Sequence, residues 1–237
     1  MDNLPLIILF VMAFLPPIFY SIWIRNTEKY NREKWIPIII CFLWGATVAI
    51  VASLILEIFL EQTVFFSIDD TDILLLISLV LIAPFVEELT KPIVMRFGIV
   101  KKELVELEDG LIYGAVAGLG FSATENLFYG YSAFITEGIM YFLILITLRS
   151  FAGCLLHASA TAWTGYGYGK VVMKQSRLLK AVPYFVLAIV VHAFYNFLPV
   201  FGMLTGVYLG FLSSLILVVI TIYIVRKKIM TLDKIGH

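Results

Sequence analysis

The sequence predicts an all-α protein, a polytopic bundle of about seven membrane-crossing helices. Three observations carry that reading. Of 237 residues, 61% are hydrophobic and only 14% charged, with mean hydropathy +0.98, so the chain has too little polar surface for a water-soluble domain of its size. Seven stretches reach the roughly 20 apolar residues that a bilayer crossing needs. Lysine and arginine gather in alternate connections between them.

The spans fall at about 4–24, 35–60, 72–100, 109–131, 138–169, 181–199 and 202–225. The opening "MDNLPLIILF" has no basic leader and no small-residue cleavage site, and is expected to be a retained first span. Arg25, Lys29, Arg32 and Lys34 follow it. Arg96, Lys101 and Lys102 close the third span; Lys170, Lys174, Arg177 and Lys180 separate the fifth and sixth; Arg226, Lys227, Lys228 and Lys234 follow the seventh. The other connections, including "EQTVFFSIDDTD", hold no Lys or Arg. Basic loops stay in the cytoplasm, so the N-terminus is expected outside and the C-terminus inside. With no long linker and no repeat, residues 1–237 are expected to form a single integral membrane domain in the cell membrane. Zero net charge gives no argument for a nucleic-acid partner, and Cys41 and Cys154, both in apolar segments, imply no disulfide framework.

The informative residues are those that lipid should exclude: Glu57, Glu87, Glu88, Lys91, Glu125, Asn126, Arg149, His157, His192 and Asn196. Ionisable groups in mid-membrane cost a few kcal/mol and usually face a bundle interior. Glu57 is near a span end and is expected at the interface. At about 1.5 Å per helical residue, Glu87 lies roughly 21 Å from Lys101 and Glu125 roughly 24 Å from Asp109. By the same measure His157 lies roughly 20 Å from Lys170, and His192 roughly 18 Å from Lys180. Four spans thus bring carboxylates and imidazoles to one depth.

Spacing within the helices refines the set. Glu87 and Lys91 are i,i+4 and can pair, whereas adjacent Glu87 and Glu88 point about 100° apart unless the helix is distorted. Pro92 supplies a cause for distortion. His192 and Asn196 share a face, as do His157 and Thr161, and Gly114-x-x-x-Gly118 allows a close helix approach. Each feature also has a structural explanation: a buried pair, a packing histidine, a snorkelling Arg149. His237, at the chain end, is assigned no role.

Two carboxylates and two imidazoles in a dry cavity suit water activation, with Glu as general base and His192 and Asn196 as oxyanion donors. The reaction class is peptide hydrolysis inside the membrane. The expectation is a metal-free route with no cofactor. The alternative is zinc on His157, His192 and one glutamate, Glu125, although no HExxH is present. A proton-coupled transporter using the same Glu, His and Lys residues is the alternative function, and a non-catalytic scaffold a third.

The motifs "EELTK" (87–91), "FSATEN" (121–126), "HASAT" (157–161) and "HAFYN" (192–196) resemble those of the PrsW intramembrane proteases, distant relatives of the CAAX-processing and bacteriocin-processing proteases. The resemblance covers about 84–200, the expected catalytic core. It implies Glu87 as the water-activating base, Glu88 assisting, Lys91 orienting the pair, and His192 and Asn196 stabilising the oxyanion. Glu125 stands where the CAAX enzymes carry histidine, and Asn126 and Arg149 are supporting residues. The implied partner is a membrane protein, such as a single-pass anti-sigma factor, cut near its extracytoplasmic side within the lipid bilayer.

The orientation is testable by cysteine labelling in intact cells. A thiol probe placed near Asp70 should be reached from outside and one near Lys174 should not; the reverse pattern would invert the topology.

Overall fold

The computed structural model describes residues 4–65, 68 and 70–236, and His237 lies outside them. Seven long helices are present among these residues, and no strand. They are α1 (Leu4–Arg25), α2 (Trp35–Phe65), α3 (Thr71–Arg96), α4 (Leu107–Thr136), α5 (Ile139–Met173), α6 (Val182–Thr205) and α7 (Val207–Asp233). Six of these regions are long and apolar enough to cross a membrane. The exception is α4. It has the length, 30 residues or roughly 45 Å, but not the apolarity.

The reason is its position. Helix α4 is the axis of the bundle and packs on α1, α2, α5 and α7. From Glu108 to Ala123 every residue is buried, and its exposed large apolar side chains, Phe128, Tyr129, Tyr131 and Ile135, lie near the C-terminal end. A helix shielded by protein need not be greasy. The outer helices must be, and α1, α2 and α7 present Phe10, Leu15, Phe19, Ile55, Phe59, Ile216 and Tyr223 outward.

Glycines set the close contacts. A Cβ at Gly110 would collide with the Gly165 carbonyl, one at Gly114 with the Thr161 carbonyl, and one at Gly118 with the His157 carbonyl. Helices α4 and α5 therefore touch backbone to backbone. Gly45 and Gly120 do the same for α2 and α4, against the Ala117 and Phe42 carbonyls. Without a hydrophobic drive between helices in lipid, such close packing is a main source of association.

Three long helices carry a π turn, at Gly45–Ala49, Ser78–Ile82 and Arg149–Gly153. Such turns interrupt the regular ladder and gather at functional sites. In α3 a 3-10 turn, Lys91–Arg96, also follows the α-helical Ala83–Thr90, as expected where Pro92 removes a backbone donor. The last two spans differ from the sequence expectation. The break falls at Gly206, whose φ of +135° suits glycine, and α7 then runs on to Asp233.

The Gly114 contact makes a prediction. Gly114→Leu is expected to destabilise the protein by about 1–3 kcal/mol through overpacking, measured by thermal unfolding in detergent. Gly98→Ala, which faces open space, should leave the midpoint unchanged.

Candidate active site

Glu87 and Glu88 stand four and three residues before Lys91, one helical turn away, so both neighbouring carboxylates reach one ammonium: Lys91 Nζ donates to Glu87 Oε2 at 2.8 Å and to Glu88 Oε1 at 2.9 Å. Its third hydrogen meets His157 Nδ1 on α5, also at 2.9 Å. The group lies 4.3 Å from the centre of the Phe121 ring, and the Lys91 side chain is fully buried.

This fixes the histidine tautomers. An ammonium only donates, so His157 Nδ1 is the acceptor and Nε2–H donates to Glu125 Oε2 at 2.8 Å. His192 Nδ1 faces Glu88 Oε1 at 3.1 Å and must donate to that carboxylate, and in the neutral tautomer this places the ring lone pair on Nε2. That Nε2 lies 3.9 Å from Glu87 Oε2, and His157 Nδ1 lies 3.7 Å from the same oxygen. The two rings stand nearly perpendicular, 4.9 Å apart. One ligand-capable atom from each of Glu87, His157 and His192 lies within 4.8 Å of the others, and all three residues are buried.

Around this centre each carboxylate is held in turn. Thr161 Oγ1 donates to Glu88 Oε2 at 2.8 Å. Arg149 Nη2 pairs with Glu125 Oε2 at 2.8 Å, its Nε donates to Asn126 Oδ1 at 3.1 Å, and its guanidinium stacks on Tyr129 at 3.9 Å. Arg149 therefore points inward and does not snorkel. A cavity of about 530 Å³ opens onto the cluster, lined by Glu87 and Glu125 at its floor and by Ser53, Glu57, Leu79 and Tyr129 along its walls. Glu57, expected at the interface, stands in this cavity.

The structure places two of the expected residues as follows. Among the described residues the carboxylate grouped with both imidazoles is that of Glu87, and Glu125 meets the opposite edge of the His157 ring. The Asn196 amide donates to the Leu79 carbonyl at 2.9 Å and ties α6 to the π turn of α3. Thr161 was visible only as a residue on the His157 face, and Tyr129 was missed. Its signal was the i,i+4 spacing from Glu125.

Fold and cluster together define a multi-pass membrane protein with a buried bis-histidine, carboxylate centre. The chain belongs to the PrsW family: the model described as "PrsW family intramembrane metalloprotease" matches residues 33–225. The relative "Protease PrsW" of Clostridioides difficile (strain 630) is 33% identical over 125 residues, 52% of this chain and 51% of that protein. The match thus spans about half the length of the relative. No solved structure matches the chain significantly.

Removing the central cation should be costly. Lys91→Met leaves Glu87 and Glu88 buried without their partner, and loss of about 3–5 kcal/mol is expected. Thermal unfolding of the variant in detergent measures it, and a change below about 1 kcal/mol, the range of exposed pairs, would contradict the pairing.

Proposed function

We propose that this chain is an intramembrane endopeptidase that hydrolyses a peptide bond of a membrane-protein substrate, with water activated at Glu87, His157 and His192. The observation that carries this is the convergence of one ligand-capable atom from each of those three buried side chains, with Glu87 also lining the adjoining cavity. Family membership supports a protease over the proton-coupled carrier.

The donor set fits a metal of the zinc class, which Glu87, His157 and His192 would hold through two imidazole nitrogens and one carboxylate. A metal held there supplies a Lewis acid for the water and the scissile carbonyl. The chain's own residues hold the site in shape. Glu125 fixes the His157 tautomer and Glu88 that of His192, the carboxylate–histidine support that metal ligands commonly have. Arg149 and Asn126 hold Glu125, Thr161 holds Glu88, and Asn196 positions α6 against α3. The substrate is a single-pass protein whose unwound segment enters the cavity past Glu57, cut towards the extracytoplasmic side of the cell membrane. Residues 84–200 form the catalytic core of one integral domain.

One observation favours a second, metal-free reading. Lys91 Nζ already sits on Glu87 Oε2 and His157 Nδ1, two of the atoms a metal would take. In that reading Glu87 is the general base and Glu88 assists it.

The test uses the purified full chain with a single-pass substrate. Glu87→Gln should abolish cleavage while insertion is unchanged, and near-normal turnover would falsify the central role of Glu87. About one zinc-class ion per chain is expected, lost with activity on chelation and reduced by His157→Ala or His192→Ala. Glu125→Gln should weaken metal affinity by about 10- to 100-fold. Full activity in chelator, with no metal in the protein, selects the second reading.

A further inference from the structure

A second group of buried acids lies at the opposite end of α4, on the face that carries the basic loops. Glu28 and Glu33 come from the α1–α2 connection, Glu108 and Asp109 from the first turn of α4, and Asp233 from the end of α7. Glu28 is fully buried, and Glu108 and Asp233 are each 2% exposed. One carboxylate oxygen from each of these three lies within 4.8 Å of the others.

Their neutralisation is missing. No described lysine, arginine or histidine forms an ion pair with Glu28, Glu108 or Asp233; the surface pair nearby joins Lys34 to Glu103. The guanidinium groups at hand are engaged elsewhere. Arg32 donates to the Glu28 backbone carbonyl, Arg25 to that of Glu33, and Arg226 to the Thr27 hydroxyl. Backbone amides cover part of the set: Lys29 and Tyr30 donate to Asp233 at 2.9 and 3.2 Å, and Glu33 to Glu28 Oε2 at 3.1 Å. Glu28 Oε1 and Glu108 Oε1 remain, buried and without a hydrogen-bond partner. Orphaned anionic oxygens cost several kcal/mol unless something occupies the space between them.

Either protons or a cation can settle such a cluster, and the surroundings divide the two roles. Glu33 receives the Tyr113 hydroxyl, and burial with the nearby Asp109 pushes its pKa up to about 10, so it carries a proton. Glu28 and Glu108 keep orphaned oxygens that lie close to each other and to Asp233, open to a cation. An all-oxygen, all-carboxylate donor set selects a hard ion over zinc or copper.

We propose that Glu28, Glu108 and Asp233 bind one hard divalent cation, of the magnesium, manganese or calcium class, which clamps the ends of α1, α4 and α7 together. The site is separate from the Glu87–His157–His192 cluster and does not depend on the protease reading. Three carboxylates against one divalent ion leave a single negative charge beside the N-terminus of α4, where the helix dipole favours it.

Chelator-stripped full-length protein in detergent is titrated with Mg²⁺, Mn²⁺ or Ca²⁺ and followed by thermal unfolding. At about 100-fold over Kd, a rise on the order of 5 °C is expected. Glu28→Gln and Glu108→Gln should each remove the rise, whereas Glu87→Gln should keep it. Should either variant fail to fold, Mn²⁺ electron paramagnetic resonance on the Glu87→Gln protein, in which the histidine centre lacks its carboxylate, counts the sites: one per chain, displaced by Mg²⁺ or Ca²⁺, is expected. No binding of any of the three ions overturns the proposal. So does binding that Glu28→Gln and Glu108→Gln leave unchanged, or that Glu87→Gln abolishes.

Discussion

The ammonium of Lys91 is the contact about which the buried site closes. A lone charge at this depth would be expelled or neutralised, but all three of its hydrogens find acceptors: Glu87, Glu88 and His157. That arrangement fixes more than charge. Because the ammonium can only donate, it decides which nitrogen of His157 bears the proton, and the proton on Nε2 in turn sets the bond to Glu125. Glu125 then accounts for Arg149. Three carboxylates thus face two fixed cations, Lys91 and Arg149.

The network requires α3, α5 and α6 to meet around α4 at close range, and the glycine face of α4 permits it. Gly114 and Gly118 lie against the carbonyls of Thr161 and His157, the residues that supply the Glu88 contact and the Lys91 contact. One extra methyl group there would push the imidazole away from its partners. Packing and chemistry meet at the same backbone atoms, so a glycine with no reactive group controls the site geometry.

Much of this was legible in the sequence. Residue counts along each span put Glu87, Glu125, His157 and His192 at one depth. The limits were physical. Adjacent Glu87 and Glu88 point about 100° apart, and the sequence did not say that the long Lys91 side chain, one turn on, would hold both. Helical spacing put Asn196 on the His192 face but could not say that the Leu79 carbonyl, in the α3 π turn, would take its amide. Spacing also could not tell which edge of the His157 ring Glu125 would meet. The acids at the other end of α4 gave no signal in the sequence, because Glu28, Glu108 and Asp233 come from three distant stretches and share no local pattern.

The two acidic clusters show opposite solutions to one electrostatic problem. In "EELTK" the lysine stands one helical turn from both glutamates, so the neutralising cation is covalently part of the helix. Around Glu108 no lysine or arginine lies within a helical turn, and the arginines near Glu28, Arg25 and Arg32, donate to backbone carbonyls. A built-in cation is always present and yields only as far as its side chain can swing. At the Glu87 centre, an incoming ion must therefore share donor atoms with Lys91, which would be left with Glu88 as its remaining contact. At the Glu28 centre an incoming ion displaces only protons. The first arrangement suits a site whose charge must rearrange during a reaction, and the second suits one that holds helices in place.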